Sequence, residues 1–368
     1  MRNSDELHNP DSSLVDQNRR RGRGAQSNTS GRFEREAKYA LDDGWGSLED
    51  LPPFATTVQI DATRSIIATN KSPDISFDQS INPYRGCEHG CVYCYARPSH
   101  CYLGLSAGLD FESKLFAKPN AAELLERELA QPSYRPKVIA LGANTDPYQP
   151  IERTWRITRE VLEVLARARH PVGIVTKSAL VTRDIDILAP MARDGLVKVA
   201  LSVTTLDRAT ARKMEPRAST PARRLDAIAE LSRAGITTAV MVAPVIPAIN
   251  DSEIEAILEA AKDAGASEAG YVVLRLPLEI KDLFREWLAT EFPDRAERVI
   301  SILKSMRGGK DYDARWFERQ KGSGPYADLI AQRFRMALRR LSLNERKYRL
   351  RSDLFVRPVA KGGQLALL

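Results

Sequence analysis

The stretch GCEHGCVYCYA, Gly86–Ala96, places Cys87, Cys91 and Cys94 within eight positions, a C-x3-C-x2-C spacing. Only one further cysteine, Cys101, exists in the 368-residue chain. Four cysteines over that length make no disulfide framework. A disulfide inside the stretch would use two thiols and leave one over. Three thiols so close converge instead on a bound metal, and soft thiolates suit zinc or an iron–sulfur cluster. A structural zinc takes four protein ligands, so Cys101, His89 or His100 would have to complete its set. A cubane 4Fe–4S cluster usually takes four cysteines as well; with three, one iron keeps a position open for a substrate or cofactor.

Downstream of this loop the apolar pattern becomes regular. The run KVIALG, Lys137–Gly142, reads as a short buried strand. Next comes TWRITREVLEVLARA, Thr154–Ala168, in which Ile157, Val161, Leu162 and Leu165 fall on one helical face. The strands VGIVT, VKVALSVT, ITTAVMVAPV and AGYVVLRL then alternate with helices, of which PARRLDAIAELSRAG ends on the C′ glycine Gly235. Asn250 or Asp251 is the expected cap of the helix in DSEIEAILEAAKDAG. Strands joined by helical crossovers are parallel and covered by helices. The fold class is therefore α/β, either a barrel or a doubly wound sheet. Both put chemistry at the C-terminal ends of the strands. Polar residues gather at those ends: Asn144, Thr145 and Asp146, then Thr176, Lys177 and Ser178, then Ser202, Thr204 and Thr205.

With Tyr93 as the aromatic before its third cysteine, the C-x3-C-x2-C loop resembles the signature of radical S-adenosylmethionine (radical SAM) enzymes. The longer stretch INPYRGCEHGCVYCYARPSH, Ile81–His100, with NTDPYQP, Asn144–Pro150, resembles the branch grouped with spore photoproduct lyase, the DNA-repair photolyase-like proteins. GLDFESKLFAK, MEPRASTPARRLDAI and RFRMALRRLSLN add to the likeness. The resemblance implies a partial (β/α)6 TIM-like barrel over residues 56–292. It also implies a 4Fe–4S cluster on Cys87, Cys91 and Cys94, with SAM on the open iron. Reductive cleavage of SAM would give a 5′-deoxyadenosyl radical that takes hydrogen from a substrate. The electron would come from a flavodoxin- or ferredoxin-type donor.

Further assignments follow from the resemblance. Asn144, Thr145 and Asp146 would meet the methionyl amino group. Ser202 and Thr204 would face ribose or carboxylate, Arg217 the SAM carboxylate, and Lys177 either SAM or a substrate phosphate. Tyr93 would pack near adenine. The chain departs from spore photoproduct lyase in having no cysteine after Cys101, which leaves Cys101 and Tyr95 as candidate hydrogen donors to the substrate. A buried, inert thiol is the other reading of Cys101. The alternative function is a zinc-stabilised nucleic-acid-binding module without catalysis.

Charge is unevenly spread. The chain carries a formal +7, yet Arg295–Arg357 alone holds 17 Lys/Arg against 7 Asp/Glu, which leaves the remainder slightly acidic. Residues 293–368 are therefore expected to form a basic helical extension. Phe334, Leu338 and Leu341 should pack on the body, and Arg333, Arg335, Arg339, Arg340, Arg346, Lys347, Arg349 and Arg351 should remain for a nucleic-acid partner. Residues 1–55, with RRRGRG at Arg19–Gly24, are expected to be an unordered polar tail. No apolar run of membrane-spanning length is present and the N-terminus lacks a secretory apolar core, so the expected setting is cytoplasmic.

Overall fold

The computed structural model of the chain describes residues 14–34, 52–346 and 348–359. Its strands, in chain order, are β1 (Thr57–Ile60), β2 (Ile67–Thr69), β3 (Gln79–Ile81), β4 (Tyr84–Arg85), β5 (Lys114–Ala117), β6 (Ile139–Leu141), β7 (Val172–Thr176), β8 (Val197–Ser202), β9 (Thr237–Val245) and β10 (Glu268–Val273). The main sheet runs β10-β9-β8-β7-β6-β3-β2. All pairs from β3 to β10 are parallel, and β2 adds an antiparallel edge. Six parallel strands with helical crossovers are the partial (β/α)6 arrangement expected. The strand order does not return on itself, so β2 and β10 are both free edges. A small second sheet, β1-β5-β4, brackets the cysteine loop. Among the described residues no helix is long and apolar enough to cross a membrane.

The helical stripes fall as their spacing dictates. Ile157, Val161, Leu162 and Leu165 are all buried. That helix starts later than its apolar period suggests. A short turn, Glu152–Trp155, ends at Arg156 (φ 53), and the helix proper is Ile157–Arg167. The buried Glu152 carboxylate accepts from the Thr158 and Arg159 backbone N–H groups at 3.0 and 3.4 Å, satisfying orphan donors of the new first turn. Helix Pro221–Arg233 ends as expected, with Gly235 at φ 79. Asn250 does not cap a helix with its side chain. It accepts from Ile246 N (2.6 Å) and donates to the carbonyls of Thr204 (2.7 Å) and Pro244 (3.0 Å), because two buried loop carbonyls there need a donor. The first barrel strand, β3, escapes sequence detection because its three residues, QSI, hold a single apolar side chain and so show no apolar run, unlike IAL in β6.

The C-terminal extension is partly a fastening. Helix Pro325–Arg340 buries Phe334 against Tyr271, ring centroids 4.6 Å apart, and Leu338 and Leu341 pack beside it. Arg333 forks onto Glu255 (2.8 and 2.5 Å) and Arg340 reaches Glu259 (2.5 Å), so both are spent on helix Ile254–Asp263. Arg351 pairs with Asp353. The chain then crosses the loops that lead into the strands. Asn344 N bonds Ser267 O, Arg351 N bonds Gly195 O and Val356 N bonds Ala168 O, at 2.9–3.0 Å. Lys347 and residues 360–368 lie outside the described residues, as do residues 1–13 and 35–51 of the stretch read as a tail.

Phe355 closes this strap over His170, which is fully buried with Nε2 2.7 Å from the Tyr134 hydroxyl. Burial pushes the His170 pKa down from 6.5 to about 4. The unfolded chain therefore takes up the proton first. The stability linked to His170 is complete above pH 6.5 and is lost as pH falls toward 4, by roughly 3 kcal/mol in all. Urea unfolding at pH 7 and pH 5 should show this loss in the wild type and a flatter response in His170→Gln. An equal slope in both would remove His170 as its source.

Candidate active site

The cysteine loop lies across the C-terminal ends of the strands. Val92 N bonds Met214 O beyond β8 (3.2 Å), His89 Nδ1 lies 3.3 Å from Asp146 beyond β6, and the Tyr95 hydroxyl donates to Ala143 O. Gly90 is in the left-handed region (φ 68), where a β-carbon would also sit 2.7 Å from Glu112 Oε2. Behind the loop, the fully buried Arg97 guanidinium donates to the carbonyls of Cys91 (2.9 Å), Gly90 (3.2 Å), Ala107 (3.0 Å) and Gly108 (2.9 Å), and to Glu112 (2.5 Å).

Part of the expected tail is built into this wall. Gly24 N and Ala25 N donate to Glu112 at 2.8 and 2.9 Å. Arg23, also buried, donates to Glu112 O, Phe54 O and Thr56 Oγ1. A β-carbon at Gly24 would lie 1.8 Å from Gly90 O, so the segment approaches the loop as only glycine allows. The RRRGRG stretch is thus a structural partner of the cysteine loop through Arg23 and Gly24, which composition alone reads as a solvated tail.

Cys87, Cys91 and Cys94 are all free thiols, the first two buried and the third half-buried. Burial raises all three thiol pKa values, and for Cys87 the neighbouring Asp146 and the other two thiols raise it further. Three sulfur donors that feel one another on one buried loop fit a thiolate-bound cluster, which would displace their protons on binding. Among the described residues no three His, Cys, Asp or Glu side chains are grouped as a single ion would require. Cys101 belongs elsewhere. It is fully buried with Ala25, Ala107, Leu109 and Leu283, apart from the apolar cluster of Cys87, Ala96 and Phe111. His100 Nε2 is engaged by Lys114 O at 2.8 Å.

The remaining candidates divide by how their polar groups are used. Asp146 accepts from Thr176 Oγ1 (2.7 Å), Tyr148 N (2.9 Å) and Lys177 N (2.8 Å). Burial alone would raise its carboxyl, but His89 and these donors hold it below the usual range. Thr145 is buried with its hydroxyl on Tyr84 O (2.9 Å). Asn144 is half-buried, and its side chain makes no hydrogen bond to a described residue. Ser202 is buried at the end of β8, its carbonyl taken by Arg224 (2.8 Å). Arg217 reaches Glu88, the residue after Cys87, at 2.7 Å. Tyr95 is 45% exposed.

Tyr93 and Thr204 converge on a group that sequence reading missed. The buried Glu215 carboxylate accepts from the Tyr93 hydroxyl, Thr204 Oγ1 (2.8 Å) and Arg224 Nη2, with Lys177 Nζ at 3.5 Å. Burial favours the neutral acid, but Arg224 and Lys177 overcome it and hold the carboxyl at about 2. A signal was present: Arg224 occupies the apolar stripe of its helix, with Ala227, Ile228 and Leu231 at i+3, i+4 and i+7. An arginine on a buried stripe needs a buried anion. Gln149 was also missed; fully buried, it donates to Gly86 O (3.1 Å) and accepts from Glu88 N (2.9 Å), fixing the start of the loop.

The Radical SAM superfamily model matches residues 81–261, a span that starts at the last residue of β3 and holds the loop and the strands β4 to β9. The chain belongs to the radical SAM superfamily and is a radical SAM enzyme. An uncharacterized protein of Mycobacterium tuberculosis is 37% identical over 242 residues, 64% of this chain and 71% of that protein. A radical SAM Nalpha-GlyT isomerase of Pseudomonas phage M6 is 28% identical over 178 residues, 47% of this chain and 35% of the phage protein. Spore photoproduct lyase complexed with dinucleoside spore photoproduct shares the fold, with a TM-score of 0.54 at 14% identity over 77% of this chain and 78% of that chain.

Proposed function

We propose that Cys87, Cys91 and Cys94 hold a 4Fe–4S cluster with one iron open to SAM, and that the enzyme acts on a nucleic acid. The observation that carries the cluster assignment is the set of three free thiols on one loop over the C-terminal ends of six parallel strands. With SAM bound, such a cluster supplies the reductive cleavage that gives a 5′-deoxyadenosyl radical. The chain's own part is to position SAM and exclude water. Asn144 offers an unengaged amide at the β6 end, and Lys177, after β7, places a cation 3.1 Å from Ala243 O and above the Tyr93 ring. Glu215 orients both Tyr93 and Lys177. Arg217, tied to Glu88, holds the outer side of the loop, and Ser202 and Thr204 close the β8 end. Tyr95, next to Cys94 and open to solvent, is the better placed of the two hydrogen-donor candidates, because Cys101 is sealed.

The nucleic-acid reading is supported by the basic extension and by a shared fold with a lyase that binds a dinucleoside. A cytoplasmic one-electron donor of flavodoxin or ferredoxin type completes the proposal. Protein purified without oxygen should be brown and carry about four iron atoms per chain. Dithionite and SAM should then yield 5′-deoxyadenosine, with more formed when the true nucleic acid is present. A colourless, zinc-loaded protein overturns the cluster assignment.

A further inference from the structure

Among the large apolar side chains that face solvent beyond β10 are Leu278 (54% exposed), Trp316 (58%) and Phe317 (65%). Leu278 (φ 54) and Phe317 (φ 68) also sit in left-handed backbone, which disfavours bulky residues. A loop that only connected helices would relieve both burdens with glycine and polar residues. Such strain persists where the surroundings over-determine it, often at ligand-binding sites.

The surroundings here are tightly fixed. Gln320 O accepts from Val273 N on the free edge of β10 (2.8 Å). The buried Arg307 donates to Glu318 O (2.6 Å) and Leu274 O (3.0 Å). On the other side, Arg319 forks onto Asp74 at 2.7 and 2.5 Å, and Asp74 also accepts from Phe317 N (3.3 Å). Asp74 lies in the connection between β2 and β3. The segment 316–320 therefore runs from the outer edge of β10 to the connection between β2 and β3 as a fixed platform. Its charge is not fully spent: Arg275, Lys310 and Lys321 form no ion pair with a described residue. The Arg275 guanidinium covers the Tyr95 ring at 4.5 Å, and Tyr95 follows Cys94. Arg307 in turn ties Leu274, the residue before Arg275, to Glu318, the residue after Phe317, so the basic and aromatic groups beside the cysteine loop and the Trp316–Phe317 pair are held by one buried guanidinium.

The geometry points to these groups as the docking surface for a single-stranded or locally unstacked nucleic-acid segment, with Trp316 and Phe317 stacking on bases and Arg275, Lys310 and Lys321 meeting phosphates. It rests on the nucleic-acid reading above and names where that substrate is held. Exposed aromatic faces close to cations that form no ion pair with a described residue fit bases on a phosphate backbone. The buried core of a protein interface is instead depleted of charged residues.

The full chain, without SAM, is titrated with a short fluorescent DNA strand and with its duplex at low and at physiological salt. The single strand should bind more tightly than the duplex, and its binding should fall with salt. Trp316→Ala and Phe317→Ala should each weaken it by about tenfold. Trp316→Phe should stay within about threefold. Trp316→Leu, which keeps apolar area but has no π face, should resemble alanine. Thermal unfolding of each variant separates misfolding from lost contact, and a folded Trp316→Ala that binds normally overturns the assignment. So does Trp316→Leu binding as well as Trp316→Phe, which would mark an apolar patch for a protein partner. Absence of binding at low salt overturns it too. A chain that cleaves SAM but ignores the strand sinks this surface alone; one that binds the strand but carries no iron sinks the cluster assignment alone.

Discussion

Cys91→Ser, purified without oxygen, is expected to come off the column nearly colourless and to form no detectable 5′-deoxyadenosine. Serine keeps the backbone pattern of the loop, in which Cys91 O accepts from Cys94 N (3.2 Å) and Arg97 Nε (2.9 Å). What it removes is a soft thiolate, and a hydroxyl is a poor replacement for iron. Cys87→Ser and Cys94→Ser should behave alike, since each would hold a different iron. Cys101→Ser is the contrasting case. Its thiol packs among alanine and leucine side chains but also meets the Glu279 carboxylate and the backbone at Arg32, so the variant should keep full iron and SAM cleavage, and its hydroxyl, able to use the same polar partners, should leave stability within about 1 kcal/mol of wild type. Iron content, absorption and urea unfolding, measured side by side, separate the two effects. Iron loss in Cys101→Ser together with iron retention in Cys94→Ser would reassign the ligand set.

Much of the barrel could be read from the chain because its strands and helices obey simple periods. VGIVT is β7 residue for residue, and helix Pro221–Arg233 starts at its N1 proline and stops before Gly235. The strand-end polar residues were legible for the same reason: in parallel sheets those positions share one rim. What escaped was set by long-range partners. Glu88, Glu112 and Glu215 look like ordinary loop or short-helix acids in sequence, and only the fold shows each receiving an arginine. Arg23 and Gly24 lie about 90 positions from the glutamate they engage, so local composition reads them as tail. The arginines of helix Pro325–Arg340 divide similarly. Arg333 and Arg340, seven apart, meet Glu255 and Glu259, four apart on the facing helix. Arg335 and Arg339, on the exposed face, form no such pair, and the spacing of basic residues alone does not distinguish the two groups.

Glu215→Ala should be among the most damaging single changes available to this chain. Glu215 and Arg224 are both buried, and the guanidinium also holds Ser219 O (2.7 Å) and Ser202 O (2.8 Å). Removing the carboxylate leaves Arg224 as a buried charge without a counter-ion and strips Tyr93 and Thr204 of their acceptor. Loss of one partner of a buried pair costs about 3–5 kcal/mol. Glu215→Leu combined with Arg224→Met removes both charges and should be less destabilised than either single change. The pair also has a pH signature. With the carboxyl held at about 2 rather than its ordinary 4.5, its contribution is complete above pH 4.5 and is lost as pH falls toward 2. Urea midpoints at neutral pH and near pH 3 test both statements. A Glu215→Ala protein within about 1 kcal/mol of wild type would mean that water or a shifted lysine replaces the carboxylate. The wall behind Tyr93 would then be held by the loop itself, and Glu215 would lose its place as the group that sets Lys177 and Tyr93 beside the three thiols.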